Sequence, residues 1–254
     1  MKRIKILGSA INATNMENVI SLIDNQIQQK ITDYICVSNV HTVITGYREQ
    51  EFRKITNNSY LTIPDGMPLS IVGKLQGNQE IERCTGPDLM AEMFLHSKNK
   101  SYTHFFYGNT KENLSILREK LLTKYPHLKI VGMYSPPFRD LDEREEQDII
   151  NLINKISPDI IWVGLGAPKQ EIWMWNNKSK LQGTLMIGVG AAFNFHADII
   201  KRAPEWMRNL SLEWFYRLLK EPKRLFKRYA TTNFLFIYLL AKEVINKRLP
   251  GNNV

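Results

Sequence analysis

From the N-terminus to about residue 200, short apolar runs rich in β-branched and aromatic residues alternate with longer stretches whose apolar positions recur every three or four residues. The first kind reads as buried strand, the second as amphipathic helix. This places strands at 4–7, 34–38, 61–63, 103–107, 129–131, 160–163 and 184–187, and helices at 16–29, 42–57, 88–97, 111–124, 143–156 and 169–180. Asn15 precedes the first helix as an N-cap, Thr110 with Glu112 opens another, and Pro158 stops the helix before the strand at 160. Such alternation predicts an α/β fold, a Rossmann-like and largely parallel sheet flanked by helices.

From Ala203 the strand pattern stops and helical spacing takes over. We therefore divide the chain into an α/β body over 1–202 and a helical appendage over 203–254. Charge sharpens the division: from Lys201 onward fall 12 of the 34 Lys and Arg but only 4 of the 25 Asp and Glu, which is +8 of the net +9. A basic segment calls for an acidic partner: nucleic acid, anionic lipid or a phosphorylated substrate. Arg217, Lys220, Arg224, Lys227 and Arg228 recur at helical spacing among Trp206, Trp214, Phe215, Phe226 and Tyr229, with Pro222 dividing the segment. That mixture describes a helix lying in a membrane interface, and its apolar density favours lipid over nucleic acid. A core helix with a solvated basic face would give part of the same spacing. No run approaches the ~20 apolar residues of a membrane span, and the apolar stretch after Lys2 and Arg3 is too short for a signal peptide. The expected location is cytoplasmic and peripheral to a membrane. Cys36 and Cys84 make no metal pattern and read as reduced core thiols.

Three strands run into glycine turns, at Gly108-Asn109, Gly164-Leu165-Gly166 and Gly188-Val189-Gly190. A strand, a glycine turn and a helix start can cradle a phosphate, because free N–H groups and the helix dipole face the anion. Glycines also simply let a strand turn into a helix, and for any single turn the two readings stand level. No third glycine completes a dinucleotide fingerprint, and no Walker A sequence is present, so a nucleotide diphosphate fits better than NAD or ATP hydrolysis. Pro168 suits the first helical position, which would set Lys169 to neutralise a diphosphate and Gln170 to hydrogen-bond a sugar hydroxyl. Asp65 sits between Pro64 and Gly66 just after a strand, a rigid mount for a general base; Pro-Asp-Gly is equally a common turn. Asn39 follows the strand at 34–38 and falls at the same sheet edge. Asp140 and Asp142 look like a metal-holding acidic pair, but their place before a charged helix start fits the helix dipole better.

Asn39-Val40-His41, Pro64-Asp65-Gly66-Met67-Pro68, Arg83 with Gly86-Pro87-Asp88-Leu89, Gly164 through Glu171, Gly188 through Phe193, and Arg202-Ala203-Pro204-Glu205-Trp206 through Glu221-Pro222 together resemble the WecG/TagA/CpsF glycosyltransferases, family 26. The resemblance runs from about Cys36 to Tyr229. It implies an inverting, metal-independent bacterial transferase that needs no cofactor. Such enzymes move N-acetylmannosamine or a related sugar from a UDP-sugar donor to undecaprenyl-diphosphate-linked N-acetylglucosamine, a polyprenyl-diphosphate-linked acceptor, for teichoic acid, capsule or exopolysaccharide, at the inner face of the cell membrane. It makes Asp65 the base, with Asn39 and Gln170 beside it, and implies that Arg83, Gly108, Asn109, Gly164, Gly166, Lys169, Glu171, Gly188, Gly190, Arg217, Arg224 and Arg228 bind substrate. Two positions depart from the family pattern: Val37 stands where threonine is frequent, and Asn194 where an acidic residue is. Nucleic acid is not an expected partner; an anionic membrane surface is, and a homo-oligomer is compatible. The rival readings are a nucleotide-binding regulatory module that docks on membranes without catalysis, a transferase using another donor such as UDP-glucose, and an NAD-dependent oxidoreductase, which the incomplete glycine fingerprint disfavours.

Overall fold

The computed structural model describes residues 1–209 and 212–248; within its C-terminal helices the side chains of Arg217, Arg224 and Arg228 lie outside the described residues. The chain opens with a hairpin, β1 (Arg3–Ile6) and β2 (Ser9–Asn12), paired antiparallel with Ile6 opposite Ser9. Its two-residue turn, Leu7-Gly8, has positive φ at both positions, as a tight hairpin requires. Sequence reading found the first strand but missed the second, because the turn carries only one glycine.

Then follow α1 (Met16–Gln28), β3 (Asp33–Ser38), α2 (Val40–Arg48), α3 (Gln50–Asn57), β4 (Leu61–Pro64), α4 (Met67–Leu75) and α5 (Gly86–Lys100). The helix expected at 42–57 is two helices, divided at Glu49, whose backbone is extended. The second half holds β5 (Thr103–Gly108), α6 (Lys111–Lys124), β6 (Lys129–Tyr134), α7 (Glu143–Ile156), β7 (Ile160–Gly164), α8 (Lys169–Asn177), β8 (Leu185–Gly188) and α9 (Ala192–His196). Strands β3 to β8 form one sheet in the order β4-β3-β8-β7-β5-β6, and every pairing is parallel. All six C-terminal ends therefore reach the same edge.

The strands are apolar on both faces because both faces are covered. Ile35, Val37, Ile63, Phe106, Trp162 and Ile187 pack with α1, α5 and α6. Tyr34, Cys36, Tyr107, Val163 and Met186 pack with Ile149, Ile153, Trp173 and Met174 of α7 and α8. Phe94 of α5 anchors the first layer, with the rings of Phe106, Tyr125, Trp162 and His104 all within 6.3 Å of its own. Cys36 and Cys84 are free and buried, as expected.

The appendage comprises α10 (Glu205–Asn209), α11 (Glu213–Lys220) and the 27-residue α12 (Pro222–Arg248). It does not hang free. Arg202 reaches Asp88 of α5 at 2.5 Å and Glu213 of α11 at 3.3 Å, joining body and appendage through one guanidinium. Further on, α12 returns to the body: Phe236 and Leu239 are buried with Ile4, Ile6, Val40, Val43, Ile44 and Leu69. Removing the chain from about Pro204 would thus uncover this cluster. The opposite side of α12 carries exposed Phe234, Ile237, Tyr238 and Ile245. We predict that Phe236→Ala destabilises the protein by about 3–5 kcal/mol, the usual cost of emptying a buried phenylalanine site, read as a lower urea midpoint. An unchanged midpoint would mean that α12 does not seal this cluster.

Candidate functional site

The C-terminal edge of the sheet gathers the predicted residues. Asn39 follows β3, Asp65 follows β4, Asn109 follows β5, Gly166 and Lys169 follow β7, and Gly190 follows β8. Crevices outside these strand ends are where open parallel sheets bind ligands.

Asp65 is half-buried, and its backbone N–H donates to the Ser38 carbonyl at 2.7 Å, extending the β3–β4 ladder by one step. Gly66 follows at φ +103, a conformation that L side chains rarely adopt. The Pro-Asp-Gly run is thus both a turn and a mount: the turn fixes where the carboxylate stands. Beside it the Cys84 thiol is pushed up to about 12, by burial first and then by the carboxylates of Glu82, Asp65 and Asp88. Cys84 N–H donates to the Pro64 carbonyl at 2.8 Å, which brings the half-buried Arg83 alongside the end of β4. Asn39 caps α2, its Oδ1 accepting from His41 N at 3.0 Å and Thr42 N at 3.3 Å. What Asn39 can offer a substrate is its Nδ2 amide. Val37 is buried in the apolar layer with Ile63 and Val189.

Asn109 has positive φ and knots four elements together. Its Nδ2 donates to Asn194 Oδ1 at 2.6 Å, its Oδ1 accepts from Asn113 at 2.9 Å, and its carbonyl accepts from Ser135 Oγ at 2.7 Å. Asn194 therefore supplies the acceptor that an acidic residue would supply. Next to this knot, Thr110, Lys111, Arg118, Tyr134, Pro136 and Phe138 line a cleft at the β5–β6 side of the edge.

The glycines have several jobs. A Cβ on Gly108 would stand 2.7 Å from the Gly164 carbonyl carbon, one on Gly164 would stand 2.7 Å from the Phe193 ring, and one on Gly188 would stand 2.8 Å from Met174 Cε. At Gly108 the neighbour is backbone that cannot give way, and at Gly164 it is a buried aromatic ring; at Gly188 a Cβ would displace the Met174 methyl and crowd the Gln170 amide. Gly166 and Gly190 make the turns themselves, at φ +79 and +56. Their N–H groups are committed inside the protein, Gly166 to Gln170 Oε1 at 3.2 Å and Gly190 to the Val163 carbonyl at 3.3 Å. A bound anion would therefore gain close approach from these turns more than hydrogen bonds from those two amides.

Pro168 is the N-cap of α8 rather than its first residue, and Lys169, the first, is exposed. Gln170 differs from expectation. It is 3% exposed, its amide lying between the two turns and its Nε2 donating to Glu171 Oε1 at 2.9 Å. Helical geometry after the N-cap turns its side chain inward, towards Glu171 and the glycine turns. Glu171, expected to touch substrate, is fully buried beneath it. Asp142 caps α7 in a capping box with Glu145, the dipole-driven role that its position suggested. Sequence reading missed the Asn109–Asn194 pair and the role of Ser38; nothing local to either position signals a partner 85 residues away.

Burial pushes the Glu171 carboxyl up to about 7, and the Gln170 amide pulls it back only in part. In the unfolded chain the same group ionises near its ordinary 4.5. Between these values the unfolded state loses the proton first, so stability from this group is full below 4.5 and is lost as pH rises to about 7. Cys36 and Tyr34, buried in the layer that α8 covers, have pKa values raised well above this window and stay neutral. We predict that the stability gap between Glu171→Gln and the wild type grows in favour of the variant from pH 5 to 7.5, measured by urea unfolding. A gap independent of pH would place the carboxyl's titration at its ordinary value.

Comparison with known proteins agrees with this arrangement. Residues 4–250 match the family model described as the glycosyl transferase WecG/TagA/CpsF family. Among curated proteins, the chain is similar to the N-acetylglucosaminyldiphosphoundecaprenol N-acetyl-β-D-mannosaminyltransferase of Bacillus subtilis (strain 168), 28% identical over 235 residues, covering 91% of this chain and 89% of that one. It is also similar to the protein of the same name from Staphylococcus aureus (strain MW2), 27% identical over 249 residues, covering 96% and 95%. With the family model spanning nearly the whole chain, this chain belongs to the WecG/TagA/CpsF family of glycosyltransferases.

Proposed function

We propose that this glycosyltransferase moves N-acetylmannosamine from UDP to the N-acetylglucosamine of an undecaprenyl-diphosphate-linked acceptor, with inversion and without a metal, in teichoic acid synthesis or a related surface polymer. The relatives' names support the sugar and the acceptor. The observation that carries the reaction is Asp65, a half-buried carboxylate fixed at the C-terminal edge between a strand and a positive-φ glycine. In an inverting displacement Asp65 takes the proton of the acceptor hydroxyl as its oxygen attacks the anomeric carbon and UDP leaves from the opposite face. The cleft lined by Thr110, Ser115, Tyr134 and Phe138 offers hydroxyls and an aromatic surface to a nucleoside, and Lys169 at the same sheet edge is a candidate for the diphosphate. Because Gly166 and Gly190 have already donated their N–H groups, stabilisation of the leaving diphosphate falls to cations. Lys169 is one; Arg217, Arg224 and Arg228, by their sequence positions, are others.

The acceptor is a membrane lipid, so the enzyme has to work at a bilayer. Among the described residues no helix is long and apolar enough to cross a membrane. The exposed aromatic and aliphatic residues of the appendage, Trp206, Phe226, Phe234, Ile237 and Tyr238, together with the +8 charge of the chain from Lys201 onward, fit binding in the plane of an anionic interface.

Two experiments test this reading. Asp65→Asn should retain UDP binding and lose about 10²–10⁴-fold in transfer rate, the range of general-base catalysis, in an assay of UDP-N-acetylmannosamine with a lipid-diphosphate acceptor read by mass spectrometry. Near-normal turnover would remove Asp65 from the mechanism, and a loss of wild-type activity in EDTA that Mg²⁺ restores would reject the metal-free route. Phe234→Ser with Ile237→Ser, both on the exposed side of α12, should weaken co-sedimentation with phosphatidylglycerol vesicles while leaving the unfolding midpoint unchanged. Undiminished binding would move the membrane contact elsewhere.

A further inference from the structure

Gln170 and Glu171, expected from the sequence to face substrate, instead form a buried polar pair with each other. Glu171 is fully buried, and its Oε2 has no hydrogen-bond partner. A buried carboxyl left half-satisfied is costly. What it does is visible in its other oxygen. Oε1 accepts from Gln170 Nε2 at 2.9 Å, and this sets which way the Gln170 amide faces. With Nε2 turned to Glu171, Oε1 is left to accept the Gly166 N–H at 3.2 Å. The same amide fills the space between the two glycine turns: a Cβ on Gly188 would stand 3.0 Å from Nε2, and one on Gly190 would stand 3.5 Å from Oε1. Flipping the amide would aim an N–H at the Gly166 N–H and a carbonyl at the Glu171 oxygen, repulsive at both ends.

We propose that Glu171 is a positioning residue: by holding the Gln170 amide in one orientation it fixes the Gly164–Pro168 turn relative to the Gly188–Gly190 turn, and so sets the shape of the strand-end surface that meets the donor diphosphate. This rests on the donor reading given above. Glu171 touches no substrate. It acts through one hydrogen bond to Gln170, whose side chain in turn holds the Gly166 N–H while its own backbone N–H donates to the Gly166 carbonyl at 3.0 Å.

The test compares Glu171→Met, which keeps length and removes the acceptor, with Glu171→Gln, which keeps the acceptor oxygen. UDP affinity is measured by calorimetry and stability by thermal unfolding, on the full chain. Glu171→Met should weaken UDP binding about tenfold, the equivalent of one misdirected hydrogen bond, without a lower Tm, since an unsatisfied buried carboxyl has been replaced by an apolar chain. Glu171→Gln should bind within about threefold of wild type. Gln170→Leu should weaken binding similarly, and the double variant Gln170→Leu/Glu171→Met should be no worse than Gln170→Leu alone, because both act through one contact. Should Glu171→Met not fold, Glu171→Ala carries the same comparison. If wild type binds UDP and Glu171→Met binds it equally, or if the two losses add, the positioning role is wrong. Failure of the wild type to bind UDP would instead overturn the donor reading beneath it.

Discussion

The structure depends on a set of close backbone approaches at one edge of the sheet. Strands β5 and β7 end so near each other that Gly108 has no room for a Cβ against the Gly164 carbonyl, and Gly164 has none against Phe193. In a parallel sheet the ends of neighbouring strands diverge into separate helices, and side chains there ordinarily hold the turns apart. Here the side chains are absent at 108, 164 and 188, and the turns close on Phe193, Met174 and Gln170 instead. The rigidity of the edge comes from this packing, and Asp65, Asn39 and Lys169 stand on it.

That constraint explains what was legible in the sequence. The glycine turns were visible as glycines after apolar runs, and the sheet edge followed from strand–helix alternation. The reason for each glycine was not visible, because it lies in a residue far along the chain: Phe193 for Gly164, Gln170 for Gly188. Read locally, each could equally be a phosphate cradle or a simple strand-to-helix turn. In space, Gly108 meets the end of a neighbouring strand, Gly164 and Gly188 meet side chains of α9 and α8, and the other two shape turns whose N–H groups are spent. Two elements were hidden for local reasons: α4 is short and starts within the Pro-Asp-Gly-Met-Pro run, and β2 follows a turn with a single glycine. By contrast Asn15, Thr110 and Asp142 cap the helices that their local sequence announced.

The appendage shows a different limit. Its basic and aromatic composition marks a surface for anionic lipid, and the exposed side of α12 fits that. Composition could not show that the same helix has a second apolar side, with Phe236 and Leu239 closing the cluster around Val43 and Ile44. Both sides obey the same helical period, so one sequence pattern supports burial against protein and contact with a membrane at once. The sides separate only when the body is present to cover one of them.

This double use links location to chemistry. The helix proposed to meet the bilayer is packed on α2, which Asn39 caps at the site edge. Arg202 adds a second tie, from α11 to the start of α5, next to the Arg83–Thr85 segment that runs along the end of β4. Each tie is a short chain of direct contacts, one apolar and one ionic, between an element that faces lipid and an element that carries a site residue. The ionic tie is only partly exposed, with 22% of the Arg202 side chain in solvent, so salt screens it less than it would a surface pair. An enzyme with a lipid-linked acceptor would gain from this arrangement, because docking through the exposed side of α12, as proposed above, would orient the sheet edge as well as bring it near. The packing also limits how far the appendage can be altered without consequence for the body. Substitutions at Phe236, Leu239 or Arg202 reach the elements that carry Asn39 and Asp65, while those on the exposed side of α12 do not.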